Sequence, residues 1–232
     1  MARTVNEGEY NAKRGEILDV ALRLVYSKGY QEMSIQDILD GLGISRGAFY
    51  HYFDSKRALL EALVARMGRT AEQALLPVVQ DPELTAIQKF RRYFEASARW
   101  KDMQKKLIVS LLRMWYTDEN AIVRQKMTTE SLHYSSRLLE PMIRQGIAEG
   151  VFTTPYPEQV AEIVAGVGLS VSDSIIGLLL VPQPGLETRQ KLEDTLAAYL
   201  DTIERIVGAP AGSFKDFEVE APTDWFDAMQ FS

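Results

Sequence analysis

The chain of 232 residues contains no cysteine, which excludes disulfide cross-links, thiolate zinc sites and thiol nucleophiles. It has only two histidines, His51 and His133, far apart in sequence, so no dedicated transition-metal site is expected. The opening residues Met1 to Glu7 lack the apolar core of a signal peptide. The most apolar run, Ile175 to Val181, is too short to span a bilayer. A cytoplasmic protein without a membrane partner is therefore expected. Val, Ile and Thr never gather into alternating runs, so strands are not expected either. No phosphate loop, dinucleotide fingerprint or metalloprotease motif occurs. Gly168 to Ser172 only superficially imitates a nucleophile elbow, because the closing glycine is missing. Without paired carboxylates or a nucleophile beside a base, no enzyme and no cofactor are expected.

Cationic excess is also missing. The net charge is −6, which does not suit a general nucleic-acid coat protein. The deficit is uneven. Residues 1–60 carry eight Lys/Arg and eight Asp/Glu, while the remainder carries eighteen against twenty-four. Any DNA binding must use placed cations, with the acidic bulk kept away from the phosphates, and must depend steeply on salt.

What is present is helical periodicity. Ile17, Leu18, Ala21, Leu22 and Val25 form one stripe that ends near Lys28-Gly29, where a glycine closes a helix. Ser34 caps a second short helix with Asp37 three residues on, and Ile35, Ile38, Leu39 and Leu42 supply its inner face. The turn Gly41-Leu42-Gly43 leads to a third helix capped by Ser45, and Asp54 or Ser55 caps a fourth. Residues 1–55 thus read as a three-helix helix-turn-helix domain, followed by a connector helix over about 55–76. Pro77 and Asp81-Pro82 mark the boundary of a larger helical region over 77–208, in which Pro141 should kink or divide a long helix. Residues 209–232 form an acidic aromatic tail. An all-α fold follows.

The third helix is the most informative stretch. Phe49 and Phe53, four apart, point back into the domain. Ser45, Arg46, Tyr50 and His51 are left on its outer surface, with Lys56 just beyond. Anchors behind and hydrogen-bonding groups in front suit a helix presented to the DNA major groove.

Gly47-Ala48-Phe49-Tyr50-His51-Tyr52-Phe53-Asp54-Ser55-Lys56, with Ser34-Ile35-Gln36-Asp37-Ile38 before it, closely resembles the tetracycline-repressor family of bacterial regulators. Gly146 to Phe152 resembles it more loosely. The resemblance implies a homodimer whose small N-terminal domains bind a palindromic operator in double-stranded DNA. It also implies a larger ligand-binding and dimerisation domain that receives a small-molecule effector. On this likeness Ser34, Tyr50 and Lys56 contact phosphates. Ser45, Arg46, Gly47 and Ala48 face the groove, with Arg46 suited to guanine, and His51 touches phosphate or base. Lys13, Arg14 and Arg3 lie on a solvated face or brush phosphates.

Large adaptable side chains concentrate in the middle third: Trp100, Met103, Leu107, Leu111, Met114, Trp115, Met127, His133, Tyr134 and Met142. Such residues suit a cavity for an apolar or aromatic effector, and they equally suit a plain core. Ile163, Val167, Ser170, Ser174 and Gly177 form one face of the penultimate helix; Leu192, Leu196, Tyr199 and Ile203 form one face of the last. Small residues along the former permit close approach, and the resemblance implies that both helices pair with their copies as a four-helix bundle. In the tail, Trp225 and Phe226 are expected to dock on the body or across the dimer, the alternative being a mobile acidic tail. The reading as a whole is a ligand-responsive transcriptional repressor. The alternatives are a protein-interaction adaptor built on the helix-turn-helix fold and, last, a small-molecule carrier or enzyme.

Overall fold

A computed structural model describes residues 7–115, 121–181, 183–215, 217 and 225–226. Among them are nine helices and no strand: α1 (Glu7–Glu32), α2 (Ile35–Leu42), α3 (Arg46–Tyr52), α4 (Lys56–Gln80), α5 (Ala86–Met103), α6 (Lys105–Trp115), α7 (Ala121–Ala148), α8 (Pro157–Leu179) and α9 (Leu186–Val207). The chain divides into two compact units. The first comprises residues 1–68 and 106–124; the second comprises 69–105 and 125–232.

The first unit is built on the expected apolar stripes. Ile17, Leu18, Ala21 and Val25 of α1, Ile38 and Leu39 of α2, and Phe49 of α3 are buried, as are Leu59, Leu60 and Leu63 of α4. The expected close of α1 at Gly29 is a sharp bend: with φ +83° and ψ 159° this residue leaves the helical region, and Tyr30 to Glu32 make one more turn beyond it. α6 belongs to this unit. Its Ser110 Oγ lies 3.6 Å from where a Gly29 side chain would begin, so the bend is also a close approach.

α4 runs through Pro77 to Gln80, which corrects the boundary expected there. Proline deprives the carbonyl four residues back of its partner. Here that residue, Gln73, is exposed, so water can take the vacated place. Pro141 likewise does not divide α7; it and Arg137, four residues before it, are both exposed.

The second unit has one aromatic centre. Phe90 of α5 stacks on Phe214 at 5.5 Å and meets Phe152 edge-on at 5.4 Å, while Phe214 stacks on Phe217 at 4.5 Å. These tail residues are core residues, and Trp225 and Phe226 are buried too. Phe214 is held by its backbone. The carboxylate of Glu204, only 7 % exposed, accepts the N–H of Gly212 and of Phe214, each at 2.8 Å. A buried carboxylate needs such donors. Beyond them, Arg189 lies over the Phe226 ring and Lys105 over that of Trp225.

α8 departs from the expectation that no stretch is long enough for a bilayer. Its 23 residues include a window of mean hydropathy 1.6, long and apolar enough to cross one, of which 17 % is buried. The apolar run counted from Ile175 missed the Ala, Gly and Val residues upstream. Val160, Ala161, Val164 and Ala165 face inward, while Ile163, Ser170, Ser174 and Gly177 are exposed and Val167 is half-buried. On α9 the expected outward face is corrected at two positions. Leu192 and Ile203 are fully buried within the protomer, and Leu196 and Tyr199 are half-buried. The stripe read from spacing is mainly the side that packs inward.

Replacing Phe214 with Ala should lower stability by about 3–5 kcal/mol, since it empties the centre of the aromatic cluster. Urea unfolding measures this directly, and a loss below about 1 kcal/mol would show that the tail is not part of the core.

Candidate nucleic-acid interface

The start of α2 is a complete capping box. Ser34 Oγ accepts the Asp37 N–H at 3.2 Å, and the Asp37 carboxylate accepts the Ser34 N–H and hydroxyl, each at 2.7 Å. Lys28, from just before the α1 bend, pairs with the same carboxylate at 2.6 Å. The Lys28 ammonium, then the Ser34 hydroxyl and N–H, hold the Asp37 carboxyl well below the usual carboxylate range. The Ser34 hydroxyl is thus engaged with Asp37. It must turn to reach a phosphate, whereas the first-turn N–H groups of α2 already point out of the helix end.

Lys56 opens α4 and is gripped by the end of α1. Its Nζ donates to the Gln31 carbonyl at 3.0 Å and sits 4.6 Å from the centre of the Tyr30 ring. Tyr30 in turn donates its hydroxyl to the Lys56 carbonyl at 2.9 Å, and burial pushes its phenol up to about 12. Partial burial also pulls the Lys56 ammonium below its ordinary value, against the opposing pull of Glu32 and Asp37. An anionic phosphate brought to Nζ would restore what burial removes. Gln31, Ser34, Gln36, Arg46 and Lys56 line one shallow depression.

α3 begins as expected. Ser45 caps it by accepting the Ala48 N–H at 3.2 Å. Arg46 and Gly47 are exposed and Ala48 is half-buried. The Arg46 guanidinium lies 5.8 Å from the centre of the Tyr50 ring, one turn on, which orients it without burying its donors. Tyr50 is 40 % exposed and rests edge-on against Phe49, so it is an outward residue with a buried brace. Four of the expected contacts, Ser34, Arg46, Tyr50 and Lys56, therefore offer polar groups at the surface of the first unit.

His51 is exposed but not isolated. Its ring meets Tyr10 edge-on at 5.7 Å and Tyr52 at 5.0 Å, while Tyr10 packs on Tyr52 at 4.9 Å. Arg14 lies 4.9 Å from the centre of the Phe53 ring, so it braces the end of α3 rather than standing free. The bracing role of Tyr10 was missed. An aromatic one turn before Lys13-Arg14 was its only sequence signal.

The expected effector residues do not form one group. Leu107 and Leu111 are buried in the first unit, and the side chains of Met114 and Trp115 lie outside the described residues. Met142 is fully buried in the core of the second unit, and Trp100, Met127 and Tyr134 are half-buried. Met103 is 78 % exposed and His133 is exposed, which removes both from a cavity wall. Residue size and softness do not report which helix face a side chain occupies. Among the described residues no cluster of His, Asp or Glu fits a metal ion.

Residues 17–63, from the core of α1 to the first turns of α4, match the family of bacterial regulatory proteins called tetR. Those residues belong to the tetR family of bacterial regulatory proteins. The chain is 26 % identical over 155 residues to the transcriptional repressor KstR2 of Mycobacterium tuberculosis, covering 62 % of this chain and 72 % of that one. To the regulator EthR of Mycolicibacterium smegmatis it is 34 % identical over 83 residues, or 36 % and 38 % of the two chains. The TetR fold extends over most of its length. A TetR-family regulator of Pectobacterium atrosepticum superposes with a TM-score of 0.65 at 19 % identity, covering 88 % of this chain and 99 % of that one. SmeT, in its complex with triclosan, superposes with a TM-score of 0.59 at 22 % identity, covering 90 % and 97 %.

The Asp37 carboxyl ordinarily titrates near 3.8 and is held lower in the fold, so its stabilisation is present above that value and lost as pH falls toward the folded one. Asp37→Asn should therefore lower Tm at pH 7, with the deficit shrinking below about pH 4. A deficit independent of pH would mean that the charge of Asp37 contributes nothing.

Proposed function

We propose that the chain is a repressor that binds a palindromic operator as a homodimer in the cytoplasm and is released by a small apolar or aromatic effector, without catalysing a reaction. The observation that carries the DNA part is the pairing of an anchored Lys56 at one helix start with an exposed Arg46–Tyr50 pair at another. Lys56 and Tyr50 are suited to phosphate, and Ser34 with the first turn of α2 adds a third donor group. Arg46 brings a two-pronged donor to guanine, and Ser45, Gly47 and Ala48 keep the helix start slim enough to enter the groove. His51 stands beside them, held by Tyr10.

Dimerisation is supported by α8. Its outward side carries Ile163, 51 % exposed, followed by Ser170, Ser174 and Gly177, whose small size lets a second helix come close. An apolar helix with so little of its length buried calls for a partner, and a second copy supplies one without a membrane. From α9, Leu196 and Tyr199 remain partly accessible to that partner, whereas Leu192 and Ile203 do not.

Ligand control is supported by chain connectivity and by the ligand complex of SmeT. The backbone passes between the units after Gly68, after Lys105 and after Arg124. Within the first unit, Ser110 of α6 meets the α1 bend at Gly29, close in sequence to Ser34 and to the Gln31 carbonyl that holds Lys56. Half-sites read on one face of DNA are about 34–36 Å apart, so a small shift passed through α4 and α6 is enough to mismatch the two reading helices.

Selection from a random duplex library should enrich an inverted repeat; failure to enrich any sequence with a folded protein overturns the reading. Lys56→Ala should weaken binding to all duplexes alike and lower the salt slope by about 1, whereas Arg46→Ala should relax preference at particular base pairs. A uniform loss on Arg46→Ala would assign that side chain to phosphate. Ser170→Arg, placed on the outward side of α8, should shift sedimentation from dimer to monomer; an unchanged dimer would place the interface elsewhere.

A further inference from the structure

His51 is the outermost side chain of α3. An α-helix turns about 100° per residue, so a position two past the buried Phe49 points almost directly away from the core. Gly47, one turn earlier on the same strip, brings no side chain, and His51 is the exposed group that projects there. Its ring is nevertheless held. Tyr10 of α1 and Tyr52 of α3, both half-buried, lie 4.9 Å apart at 37° and form a platform. The imidazole stands nearly upright on both, at 84° to Tyr10 with centroids 5.7 Å apart and at 78° to Tyr52 at 5.0 Å.

A histidine at a surface ordinarily has a broad choice of ring angle. Two upright aromatic contacts narrow it, and one of them comes from a different helix. Among the described residues the imidazole nitrogens make no hydrogen bond and no carboxylate pairs with them. The charged groups on the surrounding elements are Glu7, Lys13 and Arg14 of α1 and Arg46 of α3, with Asp54 and Lys56 past its end. Lys13 is paired with Glu16 at 2.7 Å, Arg14 lies over Phe53 and Lys56 is held by the Gln31 carbonyl. The ring of His51 is thus fixed in direction while its nitrogens stay uncommitted.

We propose that His51 makes a proton-dependent contact to a DNA phosphate and that Tyr10 positions it for that contact. This rests on the operator-binding reading given above. In a helix-turn-helix the start of the reading helix meets the bases. His51 is the last residue but one of α3, so it meets the backbone that borders the groove. A neutral imidazole donates one hydrogen bond to a phosphate, whereas an imidazolium adds an ion pair and releases a counterion. Imidazole gains its proton between about pH 5 and pH 8. The complex therefore holds more protons than the free partners, and affinity falls as pH rises, by at most one proton per protomer.

Fluorescence anisotropy on the full chain tests this, with the duplex recovered by operator selection and an unrelated duplex of the same length. Kd for both should rise about tenfold between about pH 6 and about pH 8 at constant ionic strength. The salt slope should be steeper at the lower pH by about 1 per protomer. His51→Gln changes an exposed residue and should remove both effects. Tyr10→Ala should flatten the pH profile, and Tyr10→Phe, which keeps the ring, should restore it. In the His51→Gln background Tyr10→Ala should change nothing further. A Kd independent of pH, or a profile that survives His51→Gln, overturns the contact. A pH effect confined to the operator, with an unchanged salt slope, assigns His51 to a base and overturns the phosphate. A loss on Tyr10→Ala that is equal in both backgrounds makes Tyr10 a packing residue and overturns its positioning role. An enriched inverted repeat bound equally at both pH values rejects only this proposal, whereas no enrichment rejects the operator reading on which it rests.

Discussion

The grip of the end of α1 on Lys56 is the constraint on which the reading surface depends. One lysine is held by a carbonyl, by the face of an aromatic ring and, through its own carbonyl, by a phenol hydroxyl. That fixes the first residue of α4 against the last turn of α1, and α2 and α3 are the two short helices strung between those points. Neither is long enough to be stable alone. Their positions are inherited from Phe49, Ile38 and Leu39 packing inward and from the two ends being tied together. The exposed side of α3 then holds its donors on a braced frame, with Tyr10 and Arg14 supporting its far end.

The caps and stripes were legible because they are local. Ser34 with Asp37, and Ser45 ahead of Arg46, satisfy helix-end N–H groups within four residues, so the sequence alone contains both partners. The same holds for the core face of α2 and for Phe49. What was not legible depends on partners distant in sequence. Met103 and Met142 are the same residue type, yet one is exposed and the other fully buried. The difference is which side of a helix meets a neighbour, and no local pattern around a soft side chain encodes that. Leu192 and Ile203 fit a periodic stripe correctly but were assigned to the wrong neighbour, since spacing identifies a face without identifying what covers it.

Glu204 illustrates the limit most plainly. In sequence it is one more acid on an amphipathic helix. In the fold it is buried, and the chain beyond α9 turns back over it so that two backbone N–H groups can reach its carboxylate. The tail's negative charge left a mobile appendage as the alternative to docking, but its aromatics supply part of the central cluster of the second unit. Composition describes the average of a segment, while docking is decided by a few residues within it.

α6 belongs with the first unit although some forty residues of the second lie between it and the rest of that unit. The reading head is therefore not a cassette. Cutting after Gly68 would leave the α1 bend without Ser110 and remove the buried side of α6, so the compact unit that holds α1, α2 and α3 is discontinuous in sequence. A chimaera that transplants residues 1–68 onto another regulator inherits a foreign α6 under its first helix. Compatibility at that one seam bears on whether such a graft can fold.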